Sequence, residues 1–272
     1  FGSSAACHCP WHTLRGNLGM ASTVVACSGG LAAAVGAYAW WRRSQPVECN
    51  VILIRHGEST VNKSGRYESA EFFDAPLTPH GRAQASENMQ AELKHCLRAD
   101  DNSVRVIVVS TLTRTLETAT HGILPILPPC RHTSWIALDC VRESTAAEVS
   151  PCEKNVDYEK PCNLRGPLEV VLKTFPHIDF SLCTEKDPLE RIETIKMVDR
   201  RVEEFGTWLR QWVRQQRKLN GSVQLDVIVV SHYVFLHRLL SAVERRGGSP
   251  GGPLGFENCE VRKFPLDSFL GQ

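Results

Sequence analysis

Two histidines and two arginines follow the ends of short apolar runs. Arg55 and His56 come directly after Val51-Ile52-Leu53-Ile54. Ser110, with Arg114 four residues on, follows Val104 to Val109, and Ser231-His232 follows Val227-Ile228-Val229-Val230. A guanidinium is a permanent cation with a planar donor fork, and an imidazole is both nucleophile and proton carrier near neutral pH. The chain as a whole is nearly neutral, with 31 Lys plus Arg against 30 Asp plus Glu, so no general field gathers polyanions on its surface. Nucleic acid is therefore not an expected partner, and any phosphate chemistry requires a local basic pocket. A single histidine is most often a satisfied structural residue. Two at equivalent positions, with arginines nearby in sequence, make that reading uncomfortable.

The elements that must hold them are legible. Runs of Val and Ile with no polar alternation read as strands buried on both faces of a parallel sheet. Between them, Gly81 to Leu97 carries Ala83, Ala85, Met89, Leu93 and Cys96 near helical spacing. Leu189 to Val213 places Ile192, Ile195, Val198, Val202, Phe205, Leu209 and Trp212 at steps of three and four, one apolar core stripe. Strands alternating with helices imply an open or doubly wound α/β sheet. In such sheets ligands lie beyond the carboxyl ends of the strands, so Arg55-His56, the Ser110 to Arg114 turn and His232 are expected to share one crevice. Residues 152–187, of mixed polarity and no clear period, read as an insertion near that crevice.

With these residues in view, the chain resembles the histidine phosphatase (phosphoglycerate-mutase-like) superfamily. Arg55-His56-Gly57-Glu58-Ser59-Thr60-Val61-Asn62 is similar to its opening signature. Asp74-Ala75-Pro76-Leu77-Thr78 through Ala85, Ser110 through Ala119, Leu138 through Glu143 and Val229-Val230-Ser231-His232 resemble its later motifs, in order. The likeness spans roughly residues 50–262, and Pro151 to Lys154, Phe175 to Phe180 and Asn258 to Arg262 resemble a plant and fungal phosphoglycerate-mutase-like branch. It implies a three-layer α/β/α sandwich with a mostly parallel central sheet. It also implies His56 as nucleophile, Arg55 and Arg114 as phosphate-binding forks, Asn62 as a neutral donor, His232 as a cationic donor if protonated, and Glu143 as proton donor. Glu58 takes a structural part in the loop. For Glu143 the competing reading is a surface glutamate paired with Arg142 or Arg114. Tyr233-Val234 departs from the small residues common after the second histidine, which puts pocket size in question.

The expected activity is phosphomonoester hydrolysis on a small phosphorylated metabolite or a phosphoprotein, without metal or other cofactor. Ser144 to Ser150 lacks the basic cluster that a mutase needs to retain a bisphosphate, so phosphoglycerate mutase is the second reading. A membrane-tethered scaffold that binds phosphorylated ligands is the third.

Residues 1–47 are expected to be separate from a catalytic domain at 48–272. Thr23 to Trp41 is uncharged, is long enough to cross a bilayer as a helix, and precedes Arg42-Arg43. It reads as an anchor holding the catalytic domain in the cytosol. A removed targeting peptide, which would leave a cytoplasmic or organellar domain, and an untranslated or disordered extension remain alternatives. The 11 cysteines are odd in number and scattered, as free thiols are. Cys7-His8-Cys9-Pro10-Trp11-His12 is too crowded, and lacks a second ligand pair, for a zinc site.

Overall fold

The apolar runs form a five-stranded sheet in the order β3-β2-β4-β1-β5. These are β1 (Asn50–Arg55), β2 (Asp100–Ser110), β3 (Cys130–Leu138), β4 (Gln224–Ser231) and β5 (Val261–Pro265). The first four are mutually parallel, and β5 is an antiparallel edge on β1. This computed structural model describes residues 48–97, 100–145, 160–187, 193–248 and 252–270, all within the unit Val47–Gln272. The segment 1–47, with the expected anchor at 23–41, lies outside the described residues. Among those described, no helix is long and apolar enough to cross a membrane.

Period-two alternation sends the strand residues into two separate cores. Val51, Leu53, Val106, Val108, Val227 and Val229 face one side, where they meet Val202, Phe205 and Leu209 of α6 (Ile195–Asn220) and Phe235 and Leu239 of α7 (Tyr233–Arg245). Ile52, Ile54, Ile107, Val109, Ile228 and Val230 face the other. There they meet the π turn Ala85–Met89, which follows α2 (Pro79–Gln84), and α3 (Gln90–Cys96), α4 (Thr113–Gly122) and α5 (Leu168–Thr174). The result is three layers, helices on both faces of a mostly parallel sheet.

Three expectations are corrected. The long helix begins at Ile195, because Thr194 caps it by accepting from the Met197 N–H; the expected start, Leu189 to Ile192, lies outside the described residues. The helix then runs to Asn220, past the last stripe residue, and stops at Gly221 (φ 69°). Its final turns, Arg214 to Asn220, are mostly exposed polar helix formers with no apolar stripe to betray them. The earlier helix begins at Pro79, with Thr78 as cap, before Gly81. Finally, the 152–187 stretch is not simply an insertion at the site. Its described part includes α5, and Val171, Phe175, Ile178 and Phe180 are buried in the second core.

Candidate active site

Register decides which residues meet. In the β1/β4 pair Arg55 lies opposite Ser231, and in the β2/β4 pair Val109 lies opposite Val230. The residues leaving these strands therefore emerge side by side: His56 from β1, His232 from β4, and Ser110 ending β2. The His56 N–H donates to the Ser231 carbonyl (3.0 Å), and the two imidazole rings lie 5.0 Å apart, centre to centre. His232 Nε2 and Ser110 Oγ are hydrogen bonded at 2.7 Å. His232 Nδ1 is buried and has no hydrogen-bond partner among the described residues.

His56 Nδ1 lies 2.7 Å from the Gly57 carbonyl, which can only accept. The proton must then sit on Nδ1, leaving Nε2 with its lone pair, and Arg114 Nε donates to that atom at 3.3 Å. Arg114 opens α4, one turn after Ser110. Its Nη1 donates to the Cys162 carbonyl (2.7 Å) and its Nη2 to Asn163 Oδ1 (2.8 Å). All three of its nitrogens are engaged within the protein.

Arg55 is held from a distant part of the chain. Its Nη1 donates to the Phe256 carbonyl (2.7 Å), its guanidinium lies over the Tyr233 ring at 5.3 Å, and its Nε is buried without a partner among the described residues. Tyr233 is half exposed, and its other ring neighbour is His237, stacked at 6.2 Å. The bulky residue after the second histidine thus packs onto Arg55 as a wall of the site. Asn258 Nδ2 donates to the His56 carbonyl (2.8 Å), and the Cys259 N–H to the Arg55 carbonyl (3.0 Å).

Asn62 lies in α1 (Thr60–Ser64), where a capping box uses its side chain. Its Oδ1 accepts from the Ser59 N–H and Oγ–H. The cap orients the amide and leaves its NH₂ as the remaining donor. Glu58 accepts from the Thr78 hydroxyl (2.6 Å), a contact of the structural kind expected for it. Gly81 packs directly beneath, where a Cβ would come within 2.0 Å of the Glu58 carbonyl oxygen.

Glu143 follows the short 3₁₀ turn Asp139–Val141 after β3, and its Oε1 accepts from the Ser144 N–H (2.9 Å). The ion pairs among the described residues do not join it to Arg142 or Arg114. Arg142 instead pairs with Asp187 and donates to the Asn163 carbonyl. Arg201 of α6 binds both oxygens of Glu193 and donates to the Cys140 and Arg142 carbonyls, each at 2.9 Å. The loop bearing Glu143 is thus gripped by buried cations from two sides.

Burial dominates the electrostatics. It pushes the Glu143 carboxyl above its ordinary 4.5, with Arg114, the Ser144 N–H, Arg55 and Arg201 pulling back. It holds His56 well below 6.5, assisted by the Arg114 and Arg55 cations and opposed by the Gly57 carbonyl. His232 is likewise held well below 6.5, by burial first and then by Arg114 and His56. The cationic role that His232 would have if protonated is thus disfavoured by its burial, which works against the charged form.

A histidine with a lowered folded pKa takes up its proton more readily when unfolded, so it favours unfolding as the pH falls below about 6.5. Urea midpoints measured at pH 7.5 and 5.5 should fall toward the lower pH. The fall should be smaller in His232→Gln, and an equal fall in that variant would show that the residue is not buried neutral.

Sequence reasoning missed Asn163 and Arg201, and it marked Asn258 and Cys259 only as part of a resembling segment without their contacts to the loop after β1, because these act through fold contacts that carry no local pattern. It also missed β5, the antiparallel edge. Among the described residues all seven cysteines are free thiols, and no group of three His, Cys, Asp or Glu is placed to hold a metal ion.

Residues 51–128 match the family model described as "Histidine phosphatase superfamily (branch 1)". A "Phosphoglycerate mutase-like protein" of Arabidopsis thaliana is 29% identical over 218 residues, 71% of this chain and 74% of that one. "Phosphoglycerate mutase-like protein 2" of the same plant is 25% identical over 269 residues, covering 80% and 74%. Among solved structures, the ecdysone phosphate phosphatase of Bombix mori, in complex with tungstate, shares the fold at a TM-score of 0.50 and 16% identity, over 79% of this chain and 88% of that one.

Proposed function

We propose, from the premise that this chain belongs to the histidine phosphatase superfamily, in its phosphoglycerate-mutase-like branch, that it hydrolyses phosphomonoesters through a phosphohistidine on His56. The observation that carries this reading is the placing of His56: its Nδ1 lies on the Gly57 carbonyl and its Nε2 faces Arg114 Nε, in a buried setting that favours the neutral ring.

The substrate phosphate displaces the Arg114 Nε contact and takes that donor for itself. Arg55, the Asn62 amide and the unbonded nitrogen of His232 hold the remaining oxygens. Nε2 then attacks phosphorus as the ester P–O bond breaks, which divides one difficult displacement into two. Fixed donors stabilise the charge on the transferring oxygens, and losing one typically costs about 10²–10³ in rate. Glu143, whose pKa burial raises above the ordinary carboxylate value, gives its proton to the departing alkoxide. In the second half it takes a proton from water as that water attacks the phosphohistidine. Inorganic phosphate leaves, and His56 returns to its neutral state.

Arg55 and Arg114 supply the positive charge this scheme needs, so turnover should be insensitive to chelation. The purified chain, profiled on small phosphomonoesters and phosphopeptides in EDTA, should release phosphate and form an acid-labile, alkali-stable phosphoenzyme. Loss of activity in EDTA with recovery on adding a divalent ion would refute the scheme. Transfer between phosphoglycerates, dependent on 2,3-bisphosphoglycerate and without net hydrolysis, would favour a mutase.

A further inference from the structure

The two halves of the proposed chemistry, phosphate capture and proton donation, sit on different elements. Arg114 belongs to α4, whereas Glu143 stands on the loop after β3. One side chain spans the gap between them. Asn163 ends the 3₁₀ turn Pro161–Asn163 and is buried. Its Oδ1 accepts from Arg114 Nη2 (2.8 Å), and its Nδ2 donates to the Ser144 carbonyl (2.8 Å). Ser144 in turn donates its N–H to the Glu143 carboxyl oxygen Oε1. The Asn163 carbonyl also accepts from Arg142 Nη2 (2.6 Å), which ties the same residue to the one before Glu143.

The primary amide suits this place for a definite reason. A guanidinium offers only donors and a carbonyl only accepts, so the bridging group needs one oxygen and one N–H₂ at fixed spacing. It must also be uncharged, because an anion here would neutralise Arg114 and weaken its hold on phosphate. With Cys162 fixing the other terminal nitrogen, the guanidinium plane is set and Nε is aimed at His56.

We infer that Asn163 is a positioning residue that couples the phosphate-binding guanidinium of Arg114 to the loop carrying Glu143. This rests on the hydrolase reading above and adds to it a residue that touches neither phosphate nor leaving group. Binding energy gathered at Arg114 thereby helps to orient the acid.

The test uses the full chain and three forms: wild type, Asn163→Ala and Asn163→Asp. Calorimetry with inorganic phosphate reads the Arg114 half, and hydrolysis of p-nitrophenyl phosphate against a simple alkyl phosphate reads the Glu143 half. In Asn163→Ala, phosphate affinity should fall about tenfold or more, as expected for a lost hydrogen bond to a charged group. Its kcat on the alkyl ester should fall about 10²-fold, the scale of a small misplacement, and clearly less on p-nitrophenyl phosphate, whose leaving group needs little protonation. Asn163→Asp is the near-isostere, yet it should bind phosphate more weakly than Asn163→Ala. A residue that merely fills space would give the opposite order. Circular dichroism and melting curves establish that each variant is folded, and the leaving-group comparison holds for either variant alone.

Unchanged phosphate affinity together with equal losses on the two esters in Asn163→Ala would overturn the inference. So would an Asn163→Asp protein that binds phosphate as wild type does. If wild type binds phosphate but turns over neither ester, the hydrolase reading falls, and the affinity order still judges Asn163.

Discussion

Replacing His56 with alanine should lower phosphomonoester turnover by a factor on the order of 10⁴ or more, and remove the phosphoenzyme altogether. The effect is large because no other described group can take over the attack. His232 is the nearest imidazole, 5.0 Å away ring to ring, but its Nε2 is engaged by Ser110 and it leaves a different strand. The variant should still fold. The backbone contacts that hold this loop, to Ser231 and Asn258, use the His56 main chain and survive the substitution. Phosphate should still bind, since Arg55 and Arg114 remain. Rapid quenching after mixing with labelled substrate reads the phosphoenzyme directly. An alanine variant with a tenth of the wild-type rate would end the assignment of His56 as nucleophile.

Glu143→Gln should show the next largest loss, about 10²- to 10⁴-fold on alkyl phosphates, the usual worth of a positioned general acid. On p-nitrophenyl phosphate the loss should stay within about tenfold, because that phenolate departs without a proton. The pH profile carries the sharper test. Attack requires neutral His56, whose pKa is held well below 6.5, so the acid limb of kcat/KM lies below that value. Donation requires protonated Glu143, whose pKa is raised above 4.5, so activity declines as the pH rises through that raised value. On the proposed scheme, turnover is therefore bounded on the acid side by a histidine and on the basic side by a carboxylic acid. Glu143→Gln has no proton to lose and should abolish the upper limb while leaving the lower one. An upper limb persisting in the variant, or equal losses on both esters, would assign the acid elsewhere.

Much of this site is legible in the linear chain, for a physical reason. A parallel sheet buried on both faces needs continuous apolar runs, and those runs end where polar chemistry begins. The sequence alone thus puts Arg55-His56, Ser110 and His232 at strand ends, and register brings them together. Glu143 and Asn62 rest on resemblance, and the structure adds what that could not: a half-buried carboxyl on a loop held by buried cations, and an amide already oriented by its own cap.

What stays hidden has a common cause. Strands β3 and β5 lie at the two ends of the strand order, where the apolar signal thins to Arg131-His132-Thr133-Ser134 or Val261-Arg262-Lys263. Asn163 and Arg201 are single polar residues whose partners include Arg114, Ser144 and Cys140, all well separated from them in sequence. Only the closed fold gives them neighbours. The resting states of Arg114 and His232 escape a linear motif too, since neither burial nor the Cys162 and Asn163 acceptors are written beside them.

The clasp between β1 and the segment Phe256 to Cys259 bears on how this molecule comes into being. The Asn258 side chain reaches the His56 carbonyl across 202 positions of chain, and Arg55 reaches the Phe256 carbonyl across 201. Contacts of such separation can be made only once very long loops are closed, at an entropic cost. A chain emerging from the ribosome would have β1 and most of its helices long before anything pins the loop after β1 from that side. Competence thus waits for residues 256–259 to be made, and a half-made chain, however much helix it holds, carries no working precursor of the centre.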